Sequence, residues 1–258
     1  MRGGVNHNII KDLLDKAAYW AKLAEWILLE NLFFRRPENI SVQLFSQSFG
    51  SSGRLDAEYY QPKFDRLLTH IRKQKYARLG DLVDLSKSVE PGSEAYRDEG
   101  IPFVRVADLS EFGIAPTDKF LSPENFHDVI RPKKDTLLLS KDGTVGIAYR
   151  VPQNMNVITS GAIVHLNIKP QYRETLLPDY LALVLNSPAV RLQAERDAGG
   201  SIIQHWKPSE IKEVLIPILP LSMQKDISDK VQYSFMLKKQ SENLLEETKK
   251  RVEQEIEN

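Results

Sequence analysis

Gly199-Gly-Ser-Ile-Ile-Gln-His-Trp-Lys-Pro-Ser-Glu-Ile-Lys-Glu-Val-Leu-Ile-Pro-Ile-Leu-Pro-Leu-Ser-Met-Gln-Lys225 changes character three times within one stretch. A Gly-Gly turn delivers Gln204, His205, Trp206 and Lys207, a group of hydrogen-bonding, stacking and cationic side chains. Pro208-Ser209-Glu210 then opens a short helix, because proline fits the first helical position and glutamate suits its first turn. A β-branched run from Val214 to Ile218 follows, closed by Pro220, and a long polar helix begins after it. Such a segment couples a polar contact loop to a rigid arm, an arrangement suited to reading an extended ligand.

Outward from that stretch, residues 222–258 read as one helix, longer than globular helices usually run. Ile227, Val231, Ser234, Lys238, Ser241, Leu245, Thr248, Val252 and Ile256 recur at steps of three or four with charged residues between them. The pattern is that of a coiled-coil strand with polar seam positions, which weaken pairing but help fix register. A helix of this kind needs a partner, either residues 8–35 or another protein. Residues 8–35 themselves read as an amphipathic helix through Ile9, Leu13, Ala17, Trp20, Leu23, Ile27 and Phe34, with Pro37 and Asn39 as its stop. Ser46 to Gly53 has the composition of a flexible linker, so the chain divides into an N-terminal helical segment (1–50), a central domain (54–221) and the terminal helix (222–258).

The central domain mixes its elements. A helix is expected over Ala57–Gln74, interrupted early by Pro62, and a short one over Leu79–Leu85. Ile101–Ala107, Asp135–Ser140, Thr144–Val151 and Ala162–Ile168 read as strands, and the Asp142-Gly143 pair signals a tight hairpin turn. Pro178–Leu185 and Ala189–Arg196 read as helices. Short strands with helices among them and no regular βα alternation indicate an α+β domain.

Composition bounds the function. The 258 residues suffice for a packed core, and 41% hydrophobic with 27% charged residues is ordinary for a globular protein. Cysteine is absent, which removes disulfides, thiolate metal sites and cysteine nucleophiles and fits a reducing cytoplasm. The N-terminal apolar stretches are broken by Lys11, Asp12, Asp15, Lys16, Lys22 and Glu25, so no membrane span is expected. Lys+Arg (35) balances Asp+Glu (35), yet the distribution is uneven. Residues 63–78 hold six basic residues and one acid, and residues 131–173 hold seven and two. That permits a nucleic-acid partner without demanding one.

No catalytic constellation emerges. His7, His70, His127, His165 and His205 lack metal-ligand spacing, and His165 reads as a core histidine. No phosphate-binding glycine loop is present, and the Asn-Pro-Pro-Tyr type of motif that an adenine methyltransferase needs is missing. Four loops look built for contact instead: Ser86–Gly100 with Lys87 and Arg97, the segment after Ile101–Ala107 with Arg105, the 140–144 turn with Ser140, Lys141 and Thr144, and the last loop with Ser201, Gln204, His205 and Lys207. These residue types read base edges and hold phosphates, although each loop alone also matches an ordinary solubilising surface.

Ile101-Pro-Phe-Val-Arg-Val-Ala-Asp-Leu109, Leu137-Leu-Leu-Ser-Lys-Asp-Gly-Thr-Val-Gly146, Ile203-Gln-His-Trp-Lys-Pro-Ser-Glu-Ile-Lys212 and Ile216-Pro-Ile-Leu-Pro-Leu-Ser-Met-Gln224 occur in one order. Together they resemble the target recognition domain of type I restriction–modification specificity subunits. Gly53-Arg-Leu-Asp-Ala-Glu-Tyr-Tyr-Gln-Pro62 resembles the start of such a domain, and the likeness covers about residues 53–258. The resemblance implies a non-catalytic subunit whose recognition domain reads half of a bipartite double-stranded DNA site. It implies docking to methylation and restriction subunits, with S-adenosylmethionine, Mg2+ and ATP used only by those partners and no cofactor here. Such subunits normally carry two recognition domains separated by two antiparallel helices. Here one domain and one spacer helix are present, so a half-subunit, a truncated gene product or the recognition end of a split enzyme is expected, with two copies pairing through residues 222–258. The competing expectation is a protein-interaction or assembly module without sequence-specific DNA binding.

Overall fold

The structure, a computed structural model, describes residues 3–32, 42–46, 48–199 and 204–256. Two long helices form an arm: α1 (Gly3–Asn31) and, at the other end of the chain, α8 (Leu221–Ile256). They lie against each other, with the Ser234 hydroxyl donating to the Ala17 carbonyl at 2.8 Å and the Trp20 and Tyr233 rings edge to face at 5.5 Å. The residues expected to stop the first helix, Pro37 and Asn39, lie outside the described residues. Toward its C-terminal end α1 joins the body, where Ala24, Leu28 and Leu32 are buried in the same cluster as Leu67, Ile71, Ile227 and Val231. The amide of Gln74 donates to the Asn31 carbonyl at 2.5 Å.

Within the stretch expected to be a flexible linker, Phe49–Ser52 forms a single helical turn, α2. Gly53, at φ 70°, ends it by adopting the left-handed conformation that glycine tolerates. The next helix, α3 (Pro62–Arg72), starts at the proline expected to interrupt it. Proline has a fixed φ and no N–H to lose at a helix start, so it begins a helix better than it continues one. Then come β1 (Tyr76–Arg78), α4 (Leu79–Leu82), β2 (Val83–Lys87), β3 (Tyr96–Arg97), β4 (Ile101–Val104), β5 (Leu109–Ser110), β6 (Gly113–Ile114) and β7 (Phe120–Leu121). The remainder of the body is β8 (Leu137–Ser140), β9 (Asp142–Gly143), β10 (Ala148–Arg150), β11 (Ile158–Thr159), β12 (Ile163–Ile168), α5 (Pro178–Asn186), α6 (Pro188–Ala198), β13 (Gln204–His205), α7 (Pro208–Glu213) and β14 (Leu215–Pro217). This is an α+β body with a helical arm.

Two four-stranded sheets organise the body, ordered β10-β8-β12-β2 and β11-β4-β7-β3. In the first, every residue of β8 is buried and all of β12 except Asn167, which is why Leu137-Leu-Leu and Ile163–Ile168 are near-continuous apolar runs. Helices α5 and α6 bring Tyr180, Leu181, Leu185 and Val190 into the main core with Leu137 and Leu139. The Tyr180 hydroxyl, fully buried, donates to the Pro217 carbonyl at 2.8 Å and ties α5 to β14. Strand β14 pairs antiparallel with β1, so the chain before α8 is held by β1 as well as by Tyr180.

The expected tight hairpin at Asp142-Gly143 is replaced by something else. Strand β8 ends at Ser140 and β10 begins at Ala148, with Ile147 N–H donating to the Ser140 hydroxyl at 2.9 Å inside the connection. Gly143 (φ 74°) and Gly146 (φ 87°) turn the chain, and Asp142 and Gly143 pair with His205 and Gln204 rather than with each other's flanks. The Asp-Gly signal marks a turn correctly, but long-range pairing decides its partner.

Candidate nucleic-acid interface

Four backbone hydrogen bonds run in series across the body. Trp206 N–H donates to Lys141 O (2.8 Å), Lys141 N–H to Ala162 O (2.8 Å), Gly161 N–H to Val89 O (2.9 Å), and Ser160 N–H to Val104 O (2.8 Å). Each joins a different pair of segments. Together with the β9–β13 bridge they stitch the 204–207 loop, the 141–144 turn, the 159–162 segment, the end of β2 and the end of β4 into one continuous edge. Two of the four loops singled out by their polar residues, 140–144 and the last, thereby bond each other directly, and the other two join them through the 159–162 segment.

The side chains divide sharply along that edge. Thr144, His205 and Lys207 are exposed, Gln204 is half-buried, and Lys87 at the end of β2 is exposed. Ser140 is fully buried and its hydroxyl is used by Ile147. Lys141 is 5% exposed, and its ammonium pairs with the Asp142 carboxylate. Asp142 also takes His205 Nδ1, so one carboxylate holds a cation and an imidazole on the two paired strands. Arg105 is held by Asp108 at 3.1 Å and Asp118 at 3.0 Å. Arg97 lies on β3, an edge strand of the second sheet, and donates to the carbonyls of Glu94 (3.0 Å) and Tyr96 (2.8 Å). It sits outside the stitched edge. Ser201 lies outside the described residues.

Trp206 differs from its expected role. The indole is fully buried in the main core, an anchor rather than a stacking surface. Alternation explains it: with Gln204 and His205 in a strand, the next side chain turns inward. The loop is further fixed from its other end, where Arg54 donates to Gly199 O at 3.3 Å and lies 4.5 Å from the Tyr59 ring centroid, as Arg196 also does. On the last turn of α6, burial pushes the Asp197 carboxyl up to about 6, a rise opposed by the Trp206 indole and reinforced by Glu210. On β12, burial alone lowers His165 to about 4, and its Nε2 shares a hydrogen bond with the Thr159 hydroxyl at 2.8 Å. His165 is a neutral core histidine.

What the sequence reading missed is the 159–162 segment, Thr-Ser-Gly-Ala, whose backbone links three of the five segments. A Ser-Gly pair between two apolar strands is the signal available there, and its hydrogen bonds to distant carbonyls are invisible to local pattern. The exposed groups along the edge, a hydroxyl, an imidazole and ammonium groups, together with the half-buried Gln204 amide, can accept, donate and neutralise phosphate charge. Among the described residues no group of three His, Asp or Glu could hold a metal ion, and no helix is long and apolar enough to cross a membrane.

The type I restriction modification DNA specificity domain profile matches residues 72–248 of this chain. Among solved structures, one from a study of complex assembly and conformational transition of the type I R-M system is 17% identical, covers 98% of this chain and 56% of its own, with a TM-score of 0.49. The HsdS subunit from Thermoanaerobacter tengcongensis is 18% identical, with coverage of 94% and 54% and a TM-score of 0.48. The type I restriction-modification S subunit from M. genitalium is 12% identical, with coverage of 94% and 55% and a TM-score of 0.47. This chain spans just over half the length of each. No curated protein matches it.

Proposed function

Because the chain belongs to the type I restriction-modification DNA specificity domain family, that of the non-catalytic specificity subunit, we propose that it reads one half of a bipartite double-stranded DNA site for methylation and restriction subunits that carry the catalysis. The observation that supports this is the stitched edge, which brings together the segments that carry Lys87, Thr144, Gln204, His205 and Lys207. Lys87 and Lys207 hold phosphates, while Gln204, His205 and Thr144 face base edges. Ser140, Lys141 and Asp142 hold the turn in place beneath them, and Arg105, Arg97 and Ser201 are further contacts in this reading. S-adenosylmethionine, Mg2+ and ATP belong to the partner subunits, and the setting is cytoplasmic.

A second copy supplies the other half-site, joined through α8. Leu245 (43% exposed) and Val252 (52% exposed) lie on α8 beyond the last fully buried seam residue, Ser241, and give such a pairing apolar surface. A two-fold pair reads a palindromic bipartite site, since protein symmetry is mirrored in the DNA.

The test is DNA binding by the chain together with its methylation subunit over a range of salt. Lys87→Ala and Lys207→Ala should each reduce the slope of log K against log salt by about 0.9 while leaving sequence preference intact. Gln204→Ala and His205→Ala should instead change the preferred base. Salt-independent or sequence-indifferent binding by the unaltered chain would favour an assembly module over a reader.

A further inference from the structure

The β5–β6 hairpin leaves the body and ends on the arm. Its root is firm: Leu109 is buried in the second core cluster, and Ala115 N–H donates to Asp108 O at 2.8 Å. Its turn is closed by the Ser110 hydroxyl, which donates to Gly113 O at 3.0 Å. At the tip, the Phe112 ring lies 5.7 Å from Phe235 of α8 at 61°, and the Lys238 ammonium of α8 sits 4.1 Å from the Phe112 centroid. Beside it Glu111 faces Arg191 of α6 at 3.6 Å. One two-residue tip thus bridges a body helix and the arm.

Its position along α8 is what matters. The base of α8 is held by Gln224, which accepts from Leu177 N–H (3.0 Å) and donates to Thr175 O (3.0 Å) and Leu219 O (2.8 Å). Gln232 donates to Asp179 at 2.6 Å. Among the described side-chain bonds and ring contacts between body and α8, those of Phe112 reach farthest along the helix. Phe235 also packs on the main core, so at 1.5 Å per residue the Phe112 contacts lengthen the supported base from about 17 Å (224–235) to about 21 Å (224–238). Without them, roughly 32 Å of α8, with α1 packed alongside, extends past Phe235, and a tilt of about 5° of that two-helix arm moves the tip by about 3 Å. That displacement is close to the roughly 3.4 Å rise of one base pair.

We propose that Phe112 is a positioning residue that fixes the angle of α8 to the body, and through it the spacing between the two half-sites the assembly accepts. This rests on the reading of the chain as a DNA-specificity module, but the angular part is measurable without DNA. The chain has no cysteine, so Glu124→Cys on the body and Lys250→Cys on distal α8 give two spin-label sites in the full protein. Pulsed electron spin resonance should show a narrow distance distribution that broadens by several Å in Phe112→Ala and stays narrow in Phe112→Leu, which keeps an apolar contact. An unchanged width in Phe112→Ala overturns the proposal. In the complex with the methylation subunit, the unaltered chain should prefer one half-site spacing over spacings one base pair longer or shorter, and Phe112→Ala should lower that preference several-fold. Broadened distances with undiminished spacing preference overturn the link to spacing. Failure of the unaltered chain to bind any bipartite site overturns the DNA-reading function instead, and the label distances still decide the angle.

Discussion

The body and the arm of this chain are filled with different material. Leu138, Leu139, Leu166, Leu181 and Trp206 are all fully buried in the body. Where α1 lies on α8, one large apolar residue, Leu237, is buried among smaller or polar ones: Ala17 on α1, Ser234 and Ser241 on α8. Large side chains remain outside, with Tyr19 60% and Trp26 58% exposed on α1. Apolar burial contributes about 25 cal/mol per Å2, so a seam in which alanine and serines surround one buried leucine removes less apolar surface than a layer of leucines. Small residues draw two helices close and fix their register without binding them tightly. The body therefore carries the stability of the chain, and the arm carries geometry.

The largest expected effect follows from the body. Trp206→Ala removes a fully buried indole and should cost about 3–5 kcal/mol in urea unfolding, with little recovery by collapse around the site. Had Trp206 been a contact residue, the same change would leave stability intact and weaken only binding. Full stability in this variant would break the comparison at its strong end.

Two titrating groups in the body sharpen it next. His165, lowered to about 4, is neutral in the fold while the unfolded chain gains a proton below about 6.5, so its contribution is lost as pH falls from 6.5 to 4. Asp197, raised to about 6, has the opposite sign: the fold holds a proton that the unfolded chain releases above 3.8. Its contribution is present at low pH and lost as pH rises through 6. Each shift corresponds to at most about 3 kcal/mol, and the two oppose one another between pH 4 and 6. The unaltered chain should be nearly flat across that window. Asp197→Asn should be more stable at pH 7 by about 1–2 kcal/mol and should lose stability steeply from pH 6 to 4, as measured by thermal melts at fixed ionic strength. A parallel pH profile for variant and parent would remove Asp197 from this account.

Much of this was legible from local pattern, and the exceptions share a cause. The helices at Pro178–Asn186, Pro188–Ala198 and Leu221–Ile256 and the strand at Ile163–Ile168 follow from proline starts and apolar runs. The motifs from Ile101 to Gln224 led to the family that the profile match over residues 72–248 shows. What local pattern could not show is which loop meets which. Asp142-Gly143 looks like a hairpin tip until its pairing with Gln204 and His205 is known. Lys141 looks like a surface cation, yet it is buried because Asp142 stands beside it and Ala162 and Trp206 claim its backbone. The arm shows the same limit in reverse. Its seam was read through Leu245 and Val252, both of which are exposed, because periodicity reports a face and not how far a partner covers it.

The smallest expected effect lies at the centre of that seam. Ser234 is 1% exposed and its hydroxyl donates to the Ala17 carbonyl, an oxygen already positioned to accept within α1. Removing the hydroxyl in Ser234→Ala deletes one hydrogen bond without stranding a donor and leaves a methyl-sized side chain in a close contact. The net cost should be about 0.5–1 kcal/mol. Hydrogen exchange should locate it: protection should fall in α1 around residues 9–20 and in the facing part of α8. It should hold around Ala24 to Leu32, where α1 belongs to the body core. A cost above about 3 kcal/mol, in the range of a leucine removed from a packed core, would mean that the arm is held as tightly as the body. The division between stability and geometry would then have to be abandoned.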